Sequence, residues 1–541
     1  MPITAAKGQI NLCLEPLTSQ GMQNLLNNAA AAASMSLTTQ PVATATQGVR
    51  LVVWVENVPT TGSTPTITIA GLNPAGGAVS EGPFNVLPLG NPAAQNSVVG
   101  KFEYETTNIF ESVNASGITT TNLTGATITI FAVQAGKYLV PGTLKVKKKI
   151  DKFSPNEHRN LLDKDTKRMQ TLNKVTIDEL SQVIYPENSL WIAYMLTGSV
   201  PTVTTLPSSP TSLHASVAVG TISLTTQPTA PGMALIFAFT GTSVAGSVTI
   251  TGTNQYGLAT TETITIPASN SGNYYSANIY SAVAASGIVI TGLTSGSVTI
   301  TGVFGWQYVF LPGDTVYSAC IEMFTGVDSF SCPYSLISEA TVEWGMDKEL
   351  KLTAKGIAQD RIVIGSRTGT YLNTNQITSL GQPTDLPIVG WASNVFFDTS
   401  VANIGTNSFG DLLEGKFTFK SPQTGGWTST NSQNYNRVNR GKRETSFDGK
   451  IDLTNVLQLE QHRMNLLQYL TFQFLGNPIG GGNNKSWQWT FPARWDDFEE
   501  DSEPTKERVE VTVMATAEYD SGLGGAYKLT IVDQQPPTYP L

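Results

Sequence analysis

Ser36-Leu-Thr-Thr-Gln-Pro41 recurs later in the chain as Ser223-Leu-Thr-Thr-Gln-Pro228. A second block follows each copy in the same order, beginning Asn108-Ile-Phe-Glu-Ser-Val in the first and Asn278-Ile-Tyr-Ser-Ala-Val in the second. Both copies then close with an aromatic segment that runs into Pro-Gly. Matching blocks that keep one order and one spacing indicate a duplicated structural module.

Apolar and polar residues alternate within each copy. Val248 and Ile250, for example, alternate with Thr249 and Thr251, the period of a strand with one buried face. Turn residues interrupt this pattern about every 8 to 12 residues, which predicts an antiparallel sandwich of about seven strands. We therefore define two Ig-like modules, module 1 at residues 36–142 and module 2 at residues 216–313. Without the Cys and Trp pair of antibody domains, they resemble the bacterial and viral Ig-like type in architecture.

The remaining residues, called the host, are 1–35, 143–215 and 314–541. Alternation in Lys416-Phe-Thr-Phe-Lys420 predicts half-buried antiparallel strands. The capping-box spacing of Thr176-Ile-Asp-Glu179 predicts a short helix that ends before Pro186. An apolar stripe at helical spacing predicts the longest helix within residues 452–470. The predicted fold class is mainly β: an antiparallel sandwich or barrel host with one main helix, carrying two Ig-like β-sandwich insertions.

The composition excludes several functional classes. Charged residues make up 13% of the 541 residues and the formal net charge is -9, which argues against a protein that grips DNA through a basic surface. Three His and three Cys are too scattered for a zinc site or a disulfide framework. Cys320 and Cys332 are close enough in sequence to pair across a hairpin, but the favoured prediction is that both are buried free thiols.

Targeting and catalytic signals are missing from the sequence. No apolar run reaches the roughly 18 residues of a membrane helix, and the first residues lack the apolar core of a signal peptide, so we expect synthesis in a cytoplasm. No segment unites a nucleophile with a base, or groups metal ligands. The sequence therefore predicts no enzymatic activity, no cofactor and no metal site.

Two segments of opposite charge are the candidate functional residues. Residues 145–174 hold ten basic and four acidic side chains, a net +6, whereas residues 494–510 hold three basic and eight acidic ones, a net -5. One interpretation is two solvated loops that never meet; the other is pairing across a subunit boundary, where complementary charge fixes orientation. The candidate inter-subunit residues are Lys145, Lys147, Lys148, Lys149, Lys152, Asp496, Asp497, Glu499, Glu500 and Asp501.

Residues 314–541 resemble bacteriophage tail tube proteins. The resemblance rests on the strand patterns Ser338-Glu-Ala-Thr-Val-Glu-Trp344 and Glu349-Leu-Lys-Leu-Thr-Ala354, a long polar loop, a helix near Asp452, and closing strands at 509–517 and 527–532. It implies subunits that stack as rings, with their sheets joined into an inner barrel, the helix outside, and Ig-like domains projecting outward. It leaves rings of three and rings of six both open.

The resulting expectation is a structural virion protein, the major component of a tail tube that conducts DNA without binding it specifically. Its expected partners are itself and other tail proteins, and its expected location is the virion tail. Two alternatives remain: another virion part, such as a baseplate, capsid or decoration protein, and an Ig-like adhesin for cells or glycans. For the adhesin, the candidate contacts in module 2 are Tyr256, Tyr274, Tyr275 and Tyr280.

Overall fold

A computed structural model describes most of the chain. The described residues are 9–14, 23–41, 49–57, 65–73, 78–86, 102–106, 108, 110–134, 140–153, 169–240, 246–266, 272–292, 296–315, 317–324, 330–363, 383, 385–426, 437–452, 457–501 and 510–537. Of these described residues, strands account for 66% and helices for 6%, which confirms the predicted mainly β class.

The chain forms 33 described strands and two α-helices, α1 (Pro186–Thr197) and α2 (Leu457–Arg463). In chain order the strands are β1 (Gln9–Leu14), β2 (Gln23–Ala30), β3 (Ser34–Met35), β4 (Val49–Glu56), β5 (Thr66–Leu72), β6 (Ala78–Asn85), β7 (Phe102–Glu105), β8 (Ser112–Thr121), β9 (Thr127–Gln134), β10 (Val140–Phe153), β11 (Met169–Val183), β12 (Thr202–Leu206), β13 (Thr211–Ala218), β14 (Thr221–Ile222), β15 (Met233–Thr240), β16 (Gly246–Asn254), β17 (Ala259–Ile266), β18 (Asn273–Thr291), β19 (Ser297–Val303), β20 (Gly305–Phe310), β21 (Ala319–Phe324), β22 (Phe330–Gly345), β23 (Lys351–Ala358), β24 (Ile362–Val363), β25 (Ser393–Asp398), β26 (Leu412–Lys420), β27 (Gln423–Gly426), β28 (Arg437–Arg440), β29 (Glu444–Asp452), β30 (Gln468–Gly480), β31 (Asn483–Asp501), β32 (Glu510–Ala517) and β33 (Lys528–Asp533).

The two modules share one strand order. Module 1 stacks a β2-β9-β4-β7 sheet on a β3-β8-β5-β6 sheet, and module 2 orders its strands β13-β19-β15-β18 and β14-β18-β16-β17. The strands of module 1 therefore begin at Gln23 and not at residue 36, those of module 2 begin at Thr211 and not at residue 216, and β20 belongs to the host sheet. The long β18 takes the places of both β7 and β8. Even hydrogen bonds correspond: Leu51 N donates to Thr106 Oγ1, and Leu235 N donates to Ser276 Oγ, each at 2.8 Å. The sequence repeat is thus a repeat of one sandwich.

Part of the host closes on itself. Strands β22, β21, β1, β10, β11 and β23 pair in a ring, since β23 returns to β22. From β22 the sheet continues through β26, β29, β32 and β31 to β33, β20 and β12. One hydrophobic core fills the host and includes Trp191, Phe417 and Trp489. The host is therefore a barrel extended by an open sheet.

The main helix, α1, lies inside this core rather than outside the sheet. It contacts β1, β20, β22, β31 and β33, and nearly all of its residues are buried. It begins at Pro186, the residue expected to end a helix. Proline suits the first helical turn because the amide it lacks has no partner there.

Both predicted helices are corrected. Thr176 and Glu179 lie in β11, paired with β10, so the capping-box spacing was wrong here. In the segment 452–470, the helix covers only Leu457–Arg463, while Asp452 ends β29 and Leu470 lies in β30. Leu470 is 1% exposed between β25 and β31. Strand pairing on both sides outweighed a local helical pattern; Thr454 and Val456 lie outside the described residues.

The same face of each module packs against the host. On β4 of module 1, Arg50 Nε lies 2.7 Å from Glu322 Oε1 on β21, with both side chains at most 2% exposed. At the matching positions of module 2, Ala234 and Ile236 join the host core beside Trp306. Both modules are therefore fixed to the host through buried contacts.

Candidate inter-subunit surfaces

The described residues of the basic segment, 145–153 and 169–174, form two long paired strands, which we call the basic arm. Lys145, Lys147, Lys148, Lys149 and Lys152 all lie in β10, opposite β11. β1 pairs with β10 only near Pro141, and β23 pairs with β11 only from Val175 onward. In the described part of the chain, residues 149–153 and 169–174 therefore pair only with each other, and the arm extends past its neighbours.

Carboxylates of the same chain neutralise part of the basic arm. Lys145 donates to Glu179, and Lys147 Nζ lies 2.7 Å from Asp178 Oδ2. These contacts lower the pKa of Glu179 and of Asp178 and raise that of Lys147. Lys148 Nζ lies 2.5 Å from Asp360 Oδ1. Because the pairs of Lys145 and Lys147 are solvent-exposed, they add little stability.

The described residues of the acidic segment, 494–501 and 510, lie in strands. Asp496, Asp497, Glu499, Glu500 and Asp501 all belong to β31. Asp496 Oδ2 accepts a hydrogen bond from Thr516 Oγ1 at 2.6 Å, and Asp497 Oδ1 accepts one from Phe498 N at 2.8 Å.

Acidic residues also stand opposite one another at this strand end. Glu510 of β32 is directly opposite Asp452 of β29, and like charges at opposed positions repel. In the strand register, Glu510 is also paired with Asp501 of β31. Lys450 Nζ, 3.8 Å from Glu510 Oε2, balances some of this charge. We call this strand end, including residues 499–501, the acidic end.

The basic arm and the acidic end lie at opposite ends of their strands. Seven hydroxyl residues that pair from strand to strand form one row across the sheet, and this row is a common reference from which the direction of each strand can be followed. They are Thr143, Ser181, Thr353, Thr341, Thr418, Ser446 and Thr516. From this row, the basic arm extends toward the end of β10, whereas β31 extends in the other direction to Asp501. Five strands, β23, β22, β26, β29 and β32, separate β11 from β31. The register thus keeps the two charged segments apart within one chain.

The sheet between the two segments carries balanced charge. One row alternates Lys355, Glu339, Lys420 and Glu444, and another alternates Lys351, Glu343, Lys416 and Asp448. The ion pairs are long, 3.9 Å for Lys351 with Glu343 and 4.0 Å for Lys416 with Asp448. These two rows therefore have no excess of one sign.

A buried ionic cluster that the sequence did not reveal lies inside the host. Lys485 contacts Asp385, and its Nζ lies 3.4 Å from Asp533 Oδ1. Burial alone lowers the pKa of Lys485, but Asp533 and Asp385 outweigh it, and the net pKa lies above the usual value. Burial raises the pKa of Asp533 to about 6, against the opposing effect of Lys485. Glu187, at the start of α1, accepts a hydrogen bond from Asp385 N.

Metal sites and membrane-spanning helices are not found among the described residues. No group of three or more His, Cys, Asp or Glu is arranged to hold a metal ion within them, and none of their helices is long and apolar enough to cross a membrane. Cys320 and Cys332 are buried, and no disulfide joins them. Of the four tyrosines considered for glycan contact, Tyr256 is 59% exposed, whereas Tyr280 is buried and Tyr275 packs on Trp306.

Comparisons with known proteins yield no family. No family model and no curated protein matches the chain. Two solved structures of infectious bursal disease virus, of strains Gt and Gx, are similar at 10% and 8% identity. They cover 70% and 68% of this chain and 89% and 74% of theirs, with TM-scores of 0.07 and 0.06. Similarity at that level carries no argument about fold or function.

Proposed function

We propose that the chain is a structural virion protein, the major component of a phage tail tube that self-assembles into stacked rings and conducts DNA. The observation that carries the proposal is the placement of the basic arm and the acidic end at opposite strand ends. Complementary surfaces at opposite ends of one molecule give head-to-tail contacts, and such contacts repeat indefinitely. The protein works by assembly, without a catalytic role.

Two further features support assembly. β12 has β20 as its strand partner and no other in the described sheet, and open strand edges are places where another chain adds a strand. The charge-balanced face of the sheet also offers no basic surface on which a DNA backbone would be held. A conduit built from this protein would let DNA pass without specific binding.

Assembly should depend on salt, because exposed charges more than about 10 Å apart are screened at 0.1 M ionic strength. We expect the full-length protein to form rings or tubes at low salt and to lose them at high salt, by negative-stain microscopy and sedimentation. Lys149→Glu and Glu499→Lys should each weaken assembly, and together they should restore part of it. Lys355→Glu, on the balanced face, is the matched control. Monomers at every salt and protein concentration would contradict the proposal.

A second candidate is an adhesin, with module 2 as the binding part. Tyr256 and Leu258 are exposed on the turn between β16 and β17, and Asn254 Oδ1 holds this turn by accepting from both of their amides at 3.0 Å. A rigid turn that presents an aromatic ring suits contact with a sugar or a cell-surface protein. A glycan array probed with the full chain and with Tyr256→Ala would separate this candidate from a purely structural module.

A further inference from the structure

An exposed aromatic residue lies beside the turn between β22 and β23. Trp391 is 69% exposed and Met346, in that turn, is 45% exposed. Their segments are joined, because Gly390 N donates to Lys348 O at 2.9 Å and a Cβ on Gly390 would collide with the carbonyl oxygen of Gly345. Tryptophan is enriched among the residues that dominate binding energy in protein interfaces.

One row of opposed residues leads from this turn to the acidic end: Gly345, Glu414, Lys450, Thr512 and Glu499. The row crosses four strand gaps, roughly 19 Å at the usual strand spacing. A groove of about 460 Å³ lies along the middle of this row, and its charged lining is balanced, with four lysines and four carboxylates: Lys348, Lys351, Lys416, Lys450, Glu343, Glu349, Glu414 and Asp448. We call the turn with its exposed Trp391 and Met346, this groove and the acidic end together the seat.

We propose that the seat receives the basic arm of a second copy of this chain, with Trp391 and Met346 as its apolar anchor. The inference rests on the proposed head-to-tail assembly and names the surface that assembly uses. In sequence, residues 145–153 of the arm hold five lysines and one aspartate, a net charge of +4, opposite in sign to the carboxylates of residues 499–501 at the acidic end of the seat.

The dimensions of the arm also suit the seat. Past its neighbouring strands, β10 continues for residues 149–153, roughly 17 Å of extended chain, which is close to the length of the row. Because the arm and the seat lie at opposite strand ends, the arm of one copy reaches the seat of the next, and each copy retains one of each. The contact is therefore heterologous and builds a linear stack.

Photo-crosslinking tests which segment occupies the seat. With p-benzoylphenylalanine in place of Trp391 in the full chain, irradiation of assembled protein should give a ladder of crosslinked oligomers. Mass spectrometry should find the partner peptide within residues 140–183. The same photo-crosslinker in place of Tyr256 is the control and should give no such peptide. Crosslinks to another segment, or no crosslinks in protein that does assemble, would overturn the seat but not the tube.

Trp391→Ala measures the contribution of the anchor. A hot-spot aromatic of this kind should raise the protein concentration needed for assembly by about 30-fold, with unchanged circular dichroism because the side chain is exposed. The fold-change should be similar at every salt concentration at which the wild type still assembles, because the contact of an apolar anchor is not screened by salt. Tyr256→Ala should leave assembly unchanged. If wild-type protein assembles and Trp391→Ala assembles equally well, the seat is refuted; if wild-type protein never assembles, the proposed function itself fails.

Discussion

Replacing Asp533 with asparagine should remove a pH-dependent loss of stability from the host. Asp533 is 1% exposed, and it shares a buried cluster with Lys485, Asp385 and Glu187. Its Oδ2 atom has no hydrogen-bond partner, so its ionised form is poorly solvated in the folded protein. Burial accordingly raises its pKa from 3.8 to about 6.

The magnitude follows from that shift. Each pKa unit corresponds to about 1.4 kcal/mol, so the change from 3.8 to about 6 is worth about 3 kcal/mol. Since the folded-state pKa is raised, this stability is fully present below pH ~4 and is lost as the pH rises through about 6. Other carboxylates titrate in the same range, so the informative quantity is the difference in unfolding free energy between Asp533→Asn and wild type. Between pH 4 and pH 7 that difference should change in favour of the variant by about 2 kcal/mol, most of the full effect.

Tryptophan fluorescence during denaturant unfolding can follow the host selectively, because Trp306, opposite Asp533, and Trp487 are buried nearby. Unfolding curves of wild type and variant should be compared at half-unit steps of pH. Thr530→Val is the matched control, a buried change in the same strand without a titrating group. A difference between Asp533→Asn and wild type that stays constant across this pH range would refute the reasoning.

Three further outcomes are expected. Replacing only Arg50 or only Glu322 with Met should cost about 3 to 5 kcal/mol because it leaves a buried charge behind, whereas the double replacement should be nearly neutral; denaturant unfolding of the full chain measures both. Glu262→Gln should destabilise module 2 by about 1 to 3 kcal/mol, since its carboxylate accepts hydrogen bonds from the amides of Ala277 and Asn278; calorimetry that resolves the module 2 transition checks this. Lys147→Gln should leave the melting temperature unchanged, because its ion pair with Asp178 is exposed.

The candidate inter-subunit residues were predictable as charge runs but not as a geometry. A run such as Lys147 to Lys149 is visible in the sequence, and so is the acidic run from Asp496 to Asp501. Their location in strands, with partners such as Asp178, depends on which strands pair, and that is set by contacts between distant residues. The exposure of Trp391 could not be predicted from the sequence, because no sequence pattern distinguishes a single exposed aromatic residue from a buried one.

The sequence by itself determined the period-two strands, the repeat and the two similar modules, because alternation and turn residues are local properties. Only the tertiary structure decided where helices form: Thr176 and Glu179 became part of a strand, and α1 begins at a proline, inside the core. Backbone groups of a buried segment must all be paired, and whether a neighbouring strand is present to pair them is settled by the whole fold. The same long-range pairing placed the basic arm and the acidic end at opposite strand ends.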